Sequence, residues 1–194
     1  DDPLSAGLGA AQAIALLGIE LHSRRRNRMN GQISAWDGKR FDISVGESFG
    51  NCPQYIQARE FFFSRSPALR FPGAGHERAA LNEADRALIS QADTLFVTSY
   101  ADTDDARRRV DVSHRGGKPG FVRVDGNTLT IPDFSGNRFF NTLGNLVINP
   151  RAGLLFIDFE RGDVLQLSGR AEVVLDSPEI AAFEGAERLW RVHV

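Results

Sequence analysis

Cysteine and methionine each occur once in these 194 residues, and tryptophan and tyrosine twice each. The lone Cys52 excludes an intrachain disulfide framework and any cysteine-based metal cage, and it points to a reducing, cytosolic setting. His22, His76, His114 and His193 show neither HxH nor HExxH spacing, so the expected metal complement is none. No apolar run approaches a membrane span, and the opening DDPLSAGLGA lacks the basic-then-apolar order of a signal peptide. Neither sign of charge dominates. A net charge of −2 and a pI of about 6.1 argue against a general nucleic-acid or membrane binder. A GxSxG elbow and a phosphate-binding P-loop are both missing, and GAGHER at Gly73 lacks the third glycine and preceding strand of a dinucleotide fingerprint.

What is present is ordinary globular material, 42% hydrophobic and 25% charged, enough for one domain or two small ones. A faint internal repeat organises it. At an offset of 138, Leu16, Leu17, Ile19 and Gly31 fall on Leu154, Leu155, Ile157 and Gly169. Both segments read as strand, turn, strand. The second follows a hairpin and a helix, whereas only about a dozen residues precede the first. The first module is therefore expected to be the incomplete back half of a unit, with modules at 1–72 and 73–194.

Turn chemistry and periodicity predict the elements. Ile14–Leu21 reads as a strand, and a hairpin turns at Trp36-Asp37-Gly38-Lys39. A helix is expected from Pro53, capped by Asn51 or Cys52, and Phe63–Gly75 reads as a connector. An amphipathic helix is expected over Glu77–Ala92 and a strand over Leu95–Tyr100. A hairpin crosses Asp125-Gly126-Asn127, and a helix spans Arg138–Ile148. Leu154–Phe159 and Val164–Leu167 read as antiparallel strands, and Pro178–Trp190 as a closing helix. Many short strands with helices at the edges give an α+β, mainly β class, a β-barrel with peripheral helices.

The chemistry concentrates in DVSHRGGKPGFVRVDGNTLTIPDFSGNR, residues 111–138. Gly116-Gly117 lets the backbone curl, while Ser113, Arg115 and Lys118 supply hydroxyl and cationic donors, as a phosphate requires. Ser135, Asn137 and Arg138 stand at an expected helix start, where free N–H groups favour an anion. The hairpin between these clusters can bring both to one point. The same residues also suit solvated turns, and His114 suits either the phosphate, a substrate or an exposed loop.

Residues 111–173, together with GIELHSRRRNRMNG and SFGNCPQYIQAR of the first module, resemble the pyridoxamine 5′-phosphate oxidase-like FMN-binding split-barrel superfamily, in its branch of larger FMN-binding relatives. The resemblance implies a six-stranded split barrel holding FMN between two barrels, usually of a homodimer. It implies a phosphate grip by Ser113, Arg115, Ser135 and Arg138, with His114 and Lys118 adjacent. The isoalloxazine edge would lie along Ile131, Pro132, Asp133 and Phe134, and Gln166 would face the ring. The substrate-phosphate residues and the C-terminal Arg-and-His segment of true pyridoxamine 5′-phosphate oxidases have no match here, so vitamin B6 oxidation is not supported.

The expected function is an FMN-dependent oxidoreductase with an unassigned substrate and an electron donor such as NAD(P)H or a ferredoxin-type module. A non-catalytic flavin carrier, a deazaflavin protein or a haem-binding split barrel ligated by His114 or His22 are the alternatives. The RRRNR run, Arg24–Arg28, suits an exposed edge, an acidic partner surface or the cofactor pocket better than nucleic acid, because no aromatic residues interleave it. Cys52 suits a packed cap or a redox thiol.

Overall fold

A computed structural model describes residues 7–50, 52–63, 66, 68–69, 75–103, 107–136 and 139–194. A mostly apolar run makes β1 (Ala13–Glu20), the more polar β2 (Arg25–Trp36) pairs with it, and β3 (Phe41–Phe49) follows the Asp37-Gly38 turn. That turn is held by Asp37 Oδ1, which accepts the N–H groups of Lys39 at 2.9 Å and Arg40 at 2.7 Å. The three strands form one antiparallel sheet in the order β1-β2-β3.

The remaining strands are β4 (Thr94–Asp102), β5 (Arg108–Gly116), β6 (Arg123–Asp125), β7 (Thr128–Phe134), β8 (Arg151–Ile157), β9 (Val164–Val174) and β10 (Ala186–His193). They form a seven-stranded antiparallel sheet in the order β5-β4-β8-β9-β10-β7-β6. The sheet curls until its end strand β5 and β7, the strand next to its other end, approach across an Arg115–Asp133 contact of 3.6 Å without pairing through the backbone. The result is a split barrel, α+β and mainly β. Leu95, Val97, Leu129, Ile131, Leu154, Phe156, Trp190 and Val192 fill it.

Two helices complete the core. α1 (Glu83–Gln91) contributes Ile89, and α2 (Asn141–Ile148) contributes Leu143 and Leu146 while packing against β4, β5 and β9. Among the described residues, no helix is long and apolar enough to cross a membrane.

Several expectations require correction. No helix follows Pro53; the Ile56 N–H closes a turn on the Pro53 carbonyl, and Tyr55 takes φ +64°. α1 begins at Glu83 instead of Glu77 because Asn82 and Asp85 form a reciprocal capping box. α2 begins at Asn141, three residues after Arg138. Residues 113–116, for which a solvated turn was one reading, belong to strand β5. The closing helix over Pro178–Trp190 is a short 3₁₀ turn (Pro178–Ala182), then Gly185 at φ +79° and strand β10. The Phe63–Gly75 connector carries no helix or strand where described and lies largely outside the described residues.

Candidate functional site

The alternation of β5 sets the foundation of the site. Asp111, Ser113 and Arg115 point to one side of the strand, where Asp111 is 2% exposed. A buried carboxylate demands donors, and it has three. Arg28 Nη1 donates to Asp111 Oδ1 at 2.7 Å, Ser113 Oγ to Oδ2 at 2.9 Å, and Thr142 Oγ1 to Oδ2 at 2.7 Å. Arg28 Nη1 also donates to Ser113 Oγ at 2.8 Å, and its guanidinium lies 4.0 Å over the Phe49 ring. One network thereby ties β2, β5 and α2. Burial, opposed by Asp111, lowers the Arg28 pKa; a guanidinium nevertheless remains charged.

Above this foundation opens a cleft of about 900 Å³, solvent at its mouth included. β2 contributes Arg26 and Arg28, β5 contributes Ser113, His114, Arg115 and Gly116, and β7 contributes Pro132, Asp133 and Phe134. A strap from the first sheet supplies Cys52, Gln54 and Tyr55. Gly116 is required there, since a Cβ would stand 2.1 Å from the Tyr55 carbonyl oxygen. Tyr55 OH donates to the Ser135 carbonyl at 2.8 Å, and Gln57 Nε2 to the Gly117 carbonyl at 3.3 Å. The strap thus bridges the end of β5 and the end of β7. Tyr55 and Phe134 stack obliquely with centroids 5.6 Å apart, and Phe139 and Phe140 complete an aromatic rim.

The floor is cationic and short of partners. Asp133 lies 3.6 Å from Arg115 and 3.5 Å from Arg188; burial raises its pKa, and those two arginines oppose the rise. Burial, and then Arg26, Arg115 and Arg59, push His114 down to about 4, so the ring is neutral near pH 7. Among the described residues, Arg28 Nε, Arg115 Nε and His114 Nε2 are buried without a hydrogen-bond partner. Orphaned buried donors at a cleft wall are sites for an acceptor from outside the chain.

The structure therefore brings Ser113, His114, Arg115, Pro132, Asp133 and Phe134 to one cleft. His114 is a buried strand residue 7% exposed, which corrects the reading of an exposed loop. Ser135 is exposed and reaches the site through its carbonyl. Ile131 faces the core, fully buried. Lys118 is exposed past the end of β5, and Gln166 is exposed on β9 opposite Leu155; neither lines the cleft. Arg138 lies outside the described residues.

β2 is the central strand of its sheet, so the exposed-edge reading of the arginine run fails for Arg26 and Arg28. Sequence reasoning missed Asp111, Thr142, Tyr55 and the Phe139-Phe140 rim. Asp111 carried a signal, its period-two spacing with Ser113 and Arg115. The others depend on contacts distant in sequence.

Comparison with known proteins is decisive at the family level. The family model described as pyridoxamine 5′-phosphate oxidase matches residues 81–192, more than half of the chain. The chain belongs to this family. No curated protein matches it. Among solved structures, a putative pyridoxamine 5′-phosphate oxidase from Lactobacillus delbrueckii is similar at 16% identity, TM-score 0.42, covering 59% of this chain and 89% of its own. HupZ of Group A Streptococcus is similar at 15% identity, TM-score 0.41, with the same coverages of 59% and 89%. A Clostridium acetobutylicum protein related to general stress protein 26, of the pyridoxinephosphate oxidase family, is similar at 14% identity and TM-score 0.33, covering 56% and 78%.

Proposed function

We propose that the cleft holds FMN and that the protein is a cytoplasmic flavin-dependent oxidoreductase of the pyridoxamine 5′-phosphate oxidase family. The observation that carries this reading is the convergence of buried, unpartnered nitrogens of Arg115, Arg28 and His114 on a cleft with an aromatic rim. Those donors suit a phosphate, and the Tyr55, Phe134, Phe139 and Phe140 rings suit a planar heteroaromatic system. Ser113 and Arg115 would hold the phosphate, with His114 as a neutral donor or acceptor beside it. Pro132, Asp133 and Phe134 would border the ring. When bound, the flavin supplies hydride or electron transfer, and the protein's part is to orient it, exclude water and set its electrostatics. The electron donor would be NAD(P)H or a ferredoxin-type module, with a small-molecule substrate.

The test is the absorption spectrum of the freshly purified protein, with mass spectrometry of whatever acid releases. A two-banded flavin spectrum with FMN released supports the reading, and turnover of NAD(P)H then separates an oxidoreductase from a flavin carrier. A Soret band would favour haem instead, with the buried and unpartnered His114 Nε2 as its ligand. A colourless protein that takes up no added FMN would contradict the reading.

A further inference from the structure

The β1-β2-β3 sheet and the β8-β9-β10 part of the barrel share one register. Ile14 faces Gly31, Leu16 faces Met29 and Ile19 faces Arg26. Ala152 faces Gly169, Leu154 faces Leu167 and Ile157 faces Val164. The single offset of 138 converts the first set into the second without a slip. The third strands follow: Gln32–Ser44 and Ile33–Ile43 correspond to Arg170–His193 and Ala171–Val192. The shared glycine has a shared cause. A Cβ on Gly31 would lie 2.3 Å from the Ser44 carbonyl oxygen, and one on Gly169 would lie 2.5 Å from that of His193. Ser44 and His193 are themselves corresponding residues. Register, strand order and the same forbidden Cβ make these two copies of one unit.

The copies differ where the cleft needs chemistry. Arg26 and Arg28 line it, and their counterparts are Val164 and Gln166, both exposed on β9. β1 packs on β5, and Arg28 crosses from β2 to hold Asp111 and Ser113 of β5. The Arg26 charge bears on Arg115 and Arg28, so these three guanidiniums share one anion-attracting field, and it reaches the neutral His114 ring as well. Both walls of the cleft therefore come from the same chain.

We infer that the cleft is an interface between the two copies within one chain, that Arg26 joins Arg115 in neutralising the ligand's phosphate while Arg28 positions Ser113, and that each chain holds one flavin. The inference rests on the FMN reading. A second cleft of this kind on the β9 face would meet Val164 and Gln166 in place of two guanidiniums, which is why the stoichiometry is one per chain even where chains associate.

The experiment titrates the full chain with FMN and with riboflavin, following flavin fluorescence, in the wild type and in Arg26→Val, the residue the other copy carries. The expected result is one FMN per chain, at least tenfold weaker FMN binding in Arg26→Val, and unchanged riboflavin binding. Thermal melts confirm that the variant folds. Arg26→Val and Arg115→Gln chains are then co-expressed with different tags and co-purified. A site within one chain leaves every site with a lesion, and no tight FMN binding returns. A site shared across chains restores tight sites, and that recovery would overturn the inference, as would a stoichiometry of one per two chains or two per chain.

If the wild type takes up neither flavin, the flavin reading fails by itself. Inorganic phosphate then serves as the probe. A rise in melting temperature in the wild type that shrinks in Arg26→Val sustains the Arg26 role and the intrachain cleft. Equal shifts, or none, overturn them.

Discussion

At the scale of single residues, the site is governed by what burial does to charge. Asp111 is the counter-charge of the buried Arg28 and the common acceptor of Ser113 and Thr142. Asp111→Ala should destabilise the fold by about 3–5 kcal/mol, because a buried guanidinium loses its partner. Urea unfolding measures it, and a loss under about 1 kcal/mol would mean that Arg28 escapes to solvent. His114 behaves oppositely, being stable while neutral. Its folded pKa of about 4 lies below the ordinary 6.5. The unfolded chain therefore takes up the proton first as pH falls. The stability His114 contributes is fully present above pH ~6.5 and is lost toward pH ~4, on the order of 2 kcal/mol by pH 5. His114→Gln should flatten that part of the pH dependence in urea midpoints. A variant as pH-sensitive as the wild type would assign the loss to other groups.

At the scale of elements, local chemistry was readable and long-range pairing was not. The Asp37-Gly38 hairpin and the turn before Thr128 were legible because a side-chain acceptor or a positive-φ glycine dictates them locally. The segment 178–190 misled because its Ala, Glu, Leu and Arg content favours a helix. The chain there lies between β9 and β7, and Trp190 pairs with Val173 on one side and Ile131 on the other. Tertiary pairing overrides propensity in such a central strand. Trp190→Ala should therefore cost about 3–5 kcal/mol, since the ring is fully buried in the barrel core; a loss under 1 kcal/mol in thermal or urea unfolding would deny that role. The strap of residues 52–57 was misread for the converse reason: Pro53 suggests a helix start, but Tyr55 adopts a left-handed conformation to reach Ser135. Gly116→Ala should dislodge that strap while leaving the barrel folded. Limited proteolysis within residues 52–63 should accelerate several-fold, and an unchanged cleavage rate would show that the strap tolerates the methyl group.

At the scale of the whole molecule, the cleft residues of β5 and β7 meet because the sheet curls. The strand bearing Ser113 and Arg115 and the strand bearing Pro132 and Asp133 have four strands between them in the sheet order. Sequence placed six of its chosen residues at the cleft, since β5 and β7 each carry their set in a short span. Gln166 and Ile131 do not line that cleft, since their facing depends on which side of a curled sheet a neighbour covers. For Arg28, in a run that suited an edge, a partner surface or the cofactor pocket, the packing of β1 on β5 is what brings it to the cleft.

On the flavin reading, the cleft recognises its ligand through the phosphate. The most direct measurement compares the dissociation constants of FMN and riboflavin for the same purified protein, since the two differ only by that phosphate. FMN binding tighter by about tenfold or more, with the gap narrowed in Arg115→Gln, is the expected result, because a charge-assisted hydrogen bond contributes about 1.5–3 kcal/mol. Equal affinities, or a gap that survives Arg115→Gln intact, would contradict the claim.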